Sequence, residues 1–407
     1  MKFTNKLNHF LLFLFIVIIL YYIFPEILYS FFVVPVAQNK QIYLFSDWSV
    51  IFSAIKCKLL NYNIFILNPC DVYARPHVYG SILLFIPYIE DYSIFYFWYF
   101  PIFINLIFIT IIILHFNFTS LKEYFLCLIF ILNPSTLLAM ERLNLDIFIF
   151  LLMILLCYFR NNILNLLFIS FLTLAKFYPA SLLPLFFIKN KNNKLFINFL
   201  FAFCFLFLVI FCLYLDKDNL GEIIKNKQLF SADYRWSFNF FALSKIPSLL
   251  NIFSENLLVL FSSFFSIIFV FIGVFVCKNI LYKNNYILTR SWSYNETLFL
   301  ISAGVAVSTY FVFNNWSYRE IFLFGLIPLS LELGRDNLFF KNLISFIIFR
   351  LLYSTISSYL SAFRLNDFLL IFDRIIDISF VSFILGALLY LYLKLLISSF
   401  RFRKTSL

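Results

Sequence analysis

The chain has 407 residues, of which 63% are hydrophobic and 13% charged, and its formal net charge is +11. Soluble domains are close to half apolar and a quarter charged, so this composition excludes a soluble enzyme, a nucleic-acid-binding domain and a disordered chain. Long apolar runs exclude an outer-membrane barrel, whose strands alternate apolar and polar residues. The sequence therefore predicts an all-α protein, a polytopic bundle of transmembrane helices.

About twelve apolar runs succeed one another along the chain, most of them long enough to cross a membrane. Lys and Arg collect in the short loops between alternate runs, and this bias predicts that both termini are cytoplasmic. We take the chain as one transmembrane domain, residues 1–407. The predicted spans are residues 9–36, 94–116, 124–140, 146–159, 163–176, 179–188, 196–215, 254–277, 297–313, 321–333, 343–360 and 376–396.

Two long outer loops interrupt this pattern, at residues 37–93 and 216–250. In the first, the run at residues 47–60 predicts an interfacial helix on the membrane surface. The seven cysteines match no metal-binding spacing. Cys57 and Cys70 share the first outer loop, where a disulfide and two free thiols are both open alternatives.

The fifth and sixth apolar runs are too short to cross about 30 Å of hydrocarbon as helices. Pro179 and Pro184 interrupt the sixth, and Lys176 lies at the junction between the two. Broken helices are tolerated at membrane depth where they line a polar cavity, so we expect a cavity here. Lys176 either snorkels to the interface or contacts a ligand phosphate, and the broken helices favour the phosphate.

Charged residues concentrate on the predicted outer face. Cations there run against the bias that places Lys and Arg in cytoplasmic loops, and an anionic ligand held at this face explains them. The sequence has no HExxH motif, glycine-rich phosphate loop or nucleophile elbow, and its 7 glycines disfavour a soluble nucleotide-sugar donor. The outer-face set is Asp47, Asp71, Arg75, His77, Glu141, Arg142, Asp146, Lys176, Asp233, Arg235, Arg319 and Glu320.

The first-loop motifs each have a functional and a structural interpretation. Asp47, just after the first span, could act as a general base; alternatively Ser46 or Asp47 caps the interfacial helix. Arg75 and His77 could grip a phosphate or a sugar; alternatively they belong to an ordered surface loop stiffened by prolines.

The later motifs are equally open. The tight turn at residues 141–146, with sequence ERLNLD, could form a polar cavity wall. Alternatively its Glu and Arg pair with each other, and Asn144 or Asp146 caps the fourth span. Tyr318-Arg319 at the outer start of the tenth span offers a planar guanidinium fork for phosphate oxygens, or an aromatic and cationic anchor at the interface.

Six motifs follow one another on the predicted outer face. They are Ser46-Asp47; Asn63, Asn68-Pro69, Tyr73, Pro76 and Tyr79; Asn133-Pro134; Glu141-Arg142-x-Asn144-x-Asp146; Ala175-Lys176-x-Tyr178-Pro179; and Tyr318-Arg319. This ordered set resembles the GT-C superfamily of polyprenyl-phosphate-sugar-dependent glycosyltransferases, and is most similar to glycosyltransferase family 87, the bacterial membrane mannosyltransferase-like proteins. The resemblance extends to about the tenth span.

The resemblance implies a multi-span enzyme that transfers mannose or another hexose from polyprenyl phosphate to a lipid-linked or extracytoplasmic glycan, with inversion. Asp47 matches the family's acid, which deprotonates the acceptor hydroxyl. The cations that would stabilise the departing lipid phosphate are Lys176, Arg75, Arg142 and Arg319, together with His77. The residues that would contact the sugar or the acceptor are Trp48, Glu141, Asn144, Asp146 and Tyr318.

The catalytic acid of this superfamily often has a second acid beside it, whereas Asp47 is followed by Trp48. We therefore assign no metal and no other cofactor. An Asp has an ordinary pKa near 3.9 and is a weak base in water. Burial against the apolar wall of Phe45 and Trp48 is expected to raise the pKa of Asp47.

The main alternative function is a transporter or a flippase for lipids or glycolipids, because broken helices and a polar cavity suit one too. Transporters, however, place charges near mid-membrane and commonly contain repeats, and the sequence shows neither. A non-catalytic scaffold subunit is a further alternative. The expected partners are the lipid-linked donor, the acceptor and membrane lipids. The expected location is a bacterial plasma membrane rather than the endoplasmic reticulum, with an extracytoplasmic site.

Overall fold

A computed structural model describes residues 44–116, 118, 120–159, 161–183, 195–229, 238–283, 293–311, 317–362 and 367–401, together with Asn8 and Leu12. Every regular element among the described residues is helical, which confirms the predicted all-α class. The predicted first span apart from Leu12, together with Pro184, Asp233 and Arg235, lies outside the described residues.

The first half of the structure contains the loop segments that follow α1 and six helices of at most 15 residues each. A helix, α1, forms where one was predicted at residues 47–60, and its interfacial position stays a prediction. The break predicted at Lys176 follows α6. A π-helical turn, Phe95–Tyr99, precedes α2, and a 3₁₀ turn, Tyr178–Leu182, follows α6. The helices are α1 Ser46–Leu59, α2 Phe100–Leu114, α3 Leu121–Ile131, α4 Pro134–Arg142, α5 Leu145–Tyr158 and α6 Asn162–Ala175.

The second half contains the longest helices. Between α11 and α12 the chain forms a ten-residue 3₁₀ segment, Ser317–Leu326. The helices are α7 Leu195–Leu215, α8 Lys217–Leu229, α9 Pro247–Leu250, α10 Glu255–Lys283, α11 Tyr294–Phe311, α12 Ile327–Leu333, α13 Leu338–Ala362 and α14 Asp367–Arg401.

Four helices in the described part of the chain are long and apolar enough to cross a membrane. Two bent helix pairs raise that number to six if each pair is one span: α3 with α4, bent by 49°, and α7 with α8, bent by 86°. The structure is thus compatible with a helical membrane protein. The four are Phe95–Leu114, Glu255–Asn279, Leu338–Ser357 and Phe368–Lys394.

Small residues set the distance between α10 and α14, the most extensively packed helix pair. A Cβ added at Gly273 would lie 2.2 Å from the Phe383 backbone oxygen, and one at Gly386 would lie 2.1 Å from the Val270 backbone oxygen. The hydroxyls of Ser266 and Ser382 form a hydrogen bond of 2.7 Å across the same contact. Small residues let helix backbones approach closely in lipid, where packing and polar contacts drive association.

We expect Gly386→Ala to lower the free energy of unfolding by about 1–3 kcal/mol, the usual cost of overpacking. The new methyl group overlaps a backbone oxygen, which moves only if the whole helix moves. Thermal unfolding in detergent micelles measures this loss. Gly221→Ala is the matched control, since nothing lies within 4 Å of a Cβ added there. Equal melting temperatures for both variants would contradict the prediction.

Candidate functional site

Residues from five separate segments of the chain converge on one buried polar cluster, which we call the Asp47–Asp146 site. It contains three carboxylates and four cations, and all four cations and two of the carboxylates were among the predicted site residues. Its members are Asp47, Asp71, Arg75, Arg142, Asn144, Asp146, Lys176, Tyr178 and Arg319.

Asp47 lies in the first turn of α1 and forms the first half of the site. Arg75 Nη1 lies 3.1 Å from Asp47 Oδ1, and Arg142 Nη1 lies 3.8 Å from the same oxygen. Asn144 Nδ2 donates a hydrogen bond of 2.7 Å to Asp47 Oδ2. The alternative in which Ser46 or Asp47 caps α1 is wrong, because the N-cap is Phe45 and no side chain caps the helix.

Asp71 holds the Arg75 guanidinium in place. Arg75 Nε donates to Asp71 Oδ2 at 2.9 Å and Nη2 donates to Asp71 Oδ1 at 3.1 Å, while Nη2 also donates to the Ser46 backbone oxygen at 2.7 Å. Burial lowers the pKa of Arg75, but the carboxylates of Asp71 and Asp47 outweigh it and raise the pKa above its ordinary value. A disulfide joins Cys57 to Cys70, next to Asp71, which resolves the open alternative for these cysteines.

Asp146 forms the second half of the site and is fully buried. Lys176 Nζ donates to Asp146 Oδ1 at 2.5 Å, and Arg319 Nε donates to Asp146 Oδ2 at 3.3 Å. The Tyr178 hydroxyl also donates to Asp146 Oδ1. Lys176 is therefore buried and bound by protein groups, so it does not snorkel to the interface.

Asn144 joins the two halves. Its Nδ2 donates to Asp47, while its Oδ1 accepts a hydrogen bond of 2.9 Å from Lys176 Nζ. The same oxygen accepts from the Asp146 backbone N–H at 3.0 Å, so Asn144 is also the N-cap of α5. Of the two caps considered for this helix, the structure has Asn144, and the Asp146 carboxylate instead binds the cations.

Strained backbone surrounds the site. Five non-glycine residues in the described part of the chain have positive φ, and three of them adjoin site residues: Phe45 at 59°, Ala74 at 50° and Leu143 at 39°. For an L-residue this left-handed conformation costs about 1–2 kcal/mol. Backbone strain of this kind concentrates where side chains must be aimed for function, so the pattern marks this cluster as the candidate functional site.

The ion pairs change the expected acidity of Asp47. Burial raises the pKa of Asp47, but the guanidinium groups of Arg142 and Arg75 and the hydrogen bond from Asn144 lower it by more. The pKa therefore lies below its ordinary value, and the expectation that burial alone would raise it is wrong. Sequence reasoning considered the burial of Asp47 but did not place two arginines against the same carboxylate.

Lys176 shows the opposite balance. Burial lowers its pKa, the neighbouring Arg319 lowers it further, and Asp146 only partly compensates, so the pKa of Lys176 falls to about 8. A lysine with this pKa is still cationic at neutral pH and loses its proton under mildly alkaline conditions.

The arginines form the exposed edge of the site, and the carboxylates lie beneath them. The side chains of Arg75, Arg142 and Arg319 are 25%, 13% and 13% exposed, whereas that of Asp146 is not exposed. Arg319 donates only its Nε to Asp146, and no hydrogen bond within the described residues uses its two Nη groups. That fork is available to an incoming anion.

Two predicted site residues, Trp48 and His77, lie buried in the core. Trp48 is buried and packs against Phe100 and Phe148, with ring centroids 5.2 and 5.0 Å away, so it presents no exposed ring face to a sugar. His77 is fully buried, with its ring centroid 5.6 Å from that of Phe65, so it lies in the core and not at the exposed edge of the site.

Glu141 and Tyr318 are two further predicted site residues, and the Glu141 carboxyl interacts electrostatically with Arg142 and Asp47. The Glu141 backbone oxygen accepts a hydrogen bond of 2.7 Å from the Phe45 backbone N–H, which ties α4 to the start of α1. Tyr318 lies in the 3₁₀ segment beside Arg319, and its side chain is outside the described part of the structure.

Two members of the site were missed by the sequence analysis. Asp71 was noted only as an outer-face charge, and Tyr178 only as part of a motif. The signal for Asp71 was its spacing of four residues from Arg75, a distance that a compact turn closes. The signal for Tyr178 was its place two residues after the buried lysine. Among the described residues, no group of His, Cys, Asp and Glu side chains could hold a metal ion.

Comparison with protein-family models, characterised proteins and solved structures finds no match to this chain. The site is therefore interpreted from its own geometry and chemistry.

Gly80 controls how closely the first outer loop approaches α6. Its backbone is extended, with φ −63°, so glycine is required here for space and not for conformation. A Cβ would lie 1.6 Å from the Leu174 backbone oxygen, and the Gly80 N–H donates to the Ala175 backbone oxygen at 3.1 Å. This contact sits immediately before Lys176 and five residues after Arg75.

We expect Gly80→Ala to separate the loop from α6 and to lower the free energy of unfolding by about 1–3 kcal/mol. Thermal unfolding in micelles measures the loss. Gly304→Ala serves as the control, because its Cβ would meet the Ser181 backbone oxygen at an ordinary 3.5 Å. A Gly80→Ala protein as stable as the control would show that the loop does not depend on this contact.

Proposed function

We propose that this protein is an integral membrane glycosyltransferase that transfers a sugar, mannose or another hexose, from a polyprenyl-phosphate donor to a lipid-linked or extracytoplasmic glycan. The observation that carries the proposal is the Asp47–Asp146 site itself: a buried carboxylate network under an edge of three arginines, one with an open fork, in a protein made of apolar helices. A phosphate carried on a lipid suits both features, because arginines bind phosphate oxygens and apolar helices accommodate a lipid chain.

In the proposed reaction, Asp47 accepts the proton of an acceptor hydroxyl, whose oxygen attacks the anomeric carbon of the donor sugar. The bond between that carbon and the donor phosphate oxygen breaks as the new glycosidic bond forms, so the configuration inverts. The phosphate leaves with one additional negative charge. Arg319, Lys176 and Arg142 would stabilise that charge as it develops, which is where electrostatic stabilisation contributes most to catalysis.

Donor binding also activates the base in this scheme. Arg142 Nη1 lies 3.8 Å from Asp47, a looser contact than the 3.1 Å contact of Arg75. A phosphate at the exposed edge of the site would compete for that guanidinium and reduce its interaction with Asp47. Because Arg142 is among the groups that lower the pKa of Asp47, its withdrawal raises that pKa and strengthens the base.

The location of the site relative to the membrane is part of the same proposal. The site occupies the predicted extracytoplasmic face of about twelve spans in a bacterial plasma membrane. The disulfide between Cys57 and Cys70 agrees with this side of the membrane, because disulfides persist in oxidising compartments and are rare in the cytoplasm.

The first test is transfer of radiolabelled hexose from polyprenyl phosphate to a membrane extract by the purified protein in lipid. Asp47→Asn keeps the size and one hydrogen-bonding oxygen but cannot accept the proton. We expect it to reduce kcat by about 100-fold or more, the usual contribution of a general base. Asp218→Asn, an exposed aspartate of α8, is the matched control and should transfer normally. Equal transfer by Asp47→Asn and wild type would exclude Asp47 as the base, and no transfer by wild type from any donor would overturn the proposed reaction.

A second test uses pH. Lys176 has a pKa of about 8 and stabilises the leaving phosphate only when protonated. The ratio kcat/KM should therefore fall as the pH rises through about 8. Lys176→Arg retains a cation across this range, since a guanidinium keeps its proton. We expect it to remove the alkaline limb of the pH profile, whatever its effect on the maximum rate. An alkaline limb that persists unchanged in Lys176→Arg would show that another group titrates.

A further inference from the structure

A second buried charged cluster lies behind the site, among α13, α14 and the 3₁₀ segment Ser317–Leu326. We call it the Arg350 cluster. All five members are at most 3% exposed, and four of them lie on the long helices α13 and α14. Charges buried on such helices are costly and usually serve a function. The members are Glu320, Arg350, Asp373, Arg374 and Asp377.

Arg350 is the centre of this cluster and binds all three acids. Its Nε donates to Asp377 Oδ1 at 2.5 Å, its Nη1 to Asp373 Oδ1 at 3.4 Å and its Nη2 to Glu320 Oε1 at 2.9 Å. Arg374 contacts the remaining oxygens of the two aspartates, at 2.8 and 3.1 Å. Both oxygens of each aspartate therefore face a guanidinium group.

Glu320 differs from the two aspartates. Only its Oε1 is bound, and its buried Oε2 has no hydrogen-bond partner within the described residues. The cluster holds three acids and two arginines, a formal charge of −1 that a single proton would neutralise. Glu320 is the acid with an oxygen available for that proton. Burial raises the pKa of Glu320 to about 7, with Arg350 opposing the rise.

Glu320 is also the residue next to Arg319, so one peptide unit joins the Arg350 cluster to the Asp47–Asp146 site. Arg319 reaches Asp146 of α5 on one side, and Glu320 reaches Arg350 of α13 on the other. The segment that carries both is a 3₁₀ helix of ten residues, whereas runs beyond three or four residues are uncommon because their hydrogen-bond geometry is poor. Such a segment needs external anchors.

We propose that Glu320, held by Arg350, is a positioning residue that fixes the 3₁₀ segment and so aims the open Arg319 fork at the donor phosphate. This inference rests on the proposed glycosyl transfer. It assigns the Arg350 cluster a role in the reaction although none of its members touches the substrate.

The charged and titratable groups around Glu320 come from several elements. Arg350 faces it from α13, and the two aspartates and Arg374 face it from α14. Tyr310 of α11 is buried beside the aspartates. Arg319 precedes Glu320 on the 3₁₀ segment. On the far side of that segment, Asp146 of α5 engages Arg319.

A charge-dependent anchor gives a pH signature that simple packing does not. Glu320→Gln keeps the shape and the oxygen that accepts from Arg350 but mimics the protonated acid at every pH. Below pH 7 wild-type Glu320 is protonated, so wild type and variant should have similar kcat/KM for the donor. Above pH 7 the wild-type carboxylate ionises and binds Arg350 more strongly. At pH 8 we expect the variant to be about tenfold lower, a typical contribution of a charge-assisted hydrogen bond.

The experiment is a double-mutant cycle with Glu320→Gln, Arg319→Gln and the double variant, measured at pH 6 and pH 8. Because Glu320 acts through Arg319, adding Glu320→Gln to Arg319→Gln should change kcat/KM by less than twofold at either pH. Glu332→Gln, an exposed acid on α12, is the matched control and should follow wild type at both pH values. Binding of sugar-free polyprenyl phosphate provides a second readout on the same four proteins.

The outcomes separate the two proposals. If wild type transfers sugar but the effects of the two substitutions add, or the loss in Glu320→Gln is the same at pH 6 and pH 8, the positioning role is overturned and the transferase stands. If wild type neither transfers sugar nor binds polyprenyl phosphate, both proposals are overturned. A loss confined to pH 8 and absent from the Arg319→Gln background supports the positioning role, both in transfer and in binding.

Discussion

The rest of the site depends on the hydrogen bonds made by the side-chain amide of Asn144. It donates to Asp47, accepts from Lys176 and caps α5, so three elements that are distant in sequence share one small, fully buried group. An amide is suited to this position because it offers donors and an acceptor without charge. A carboxylate there would repel Asp47, and an apolar side chain would remove one hydrogen bond from Asp47 and one from Lys176.

Burying a polar site among apolar helices costs free energy, and the structure lowers that cost by pairing opposite charges. Nearly every charge in the two clusters lies against an opposite charge, and buried ions without partners would cost several kcal/mol each. Among the described residues, no hydrogen bond uses the Arg319 fork or the Glu320 Oε2, and these two residues are adjacent in the chain. In a network otherwise satisfied, unsatisfied groups are where a ligand or a proton is most readily accommodated.

Sequence patterns predicted the helical class, α1 to within one residue at each end and the break after α6, because these follow from local hydropathy, proline positions and length. They also placed the four cations of the site on one predicted face of the membrane. They did not predict which acid each cation binds, because those pairings depend on tertiary contacts such as Arg142 with Asp47. The count of about twelve spans stays a prediction, since six is the most that the described residues supply.

The Arg350 cluster escaped sequence analysis for a different reason. Its two aspartates and Arg374 lie at or just before the start of the predicted last span, residues 376–396, where charges are easily assigned to a loop. In the structure, α14 already starts at Asp367, so all three residues are helical. Helical spacing was the available signal: Asp373 and Asp377 are four residues apart and so lie on one helix face. Read in that way, they indicate a buried partner of opposite charge on a neighbouring helix.

The disulfide between Cys57 and Cys70 closes a covalent ring that ends one residue before Asp71, the acid that orients Arg75. Formation of this bond requires an oxidant, so the final assembly of the first outer loop is a chemical step as well as a folding step. The segment that carries Asp71 is thereby held to the end of α1 by a covalent bond as well as by packing. The placement of Arg75 is tied in this way to the thiol chemistry of its surroundings.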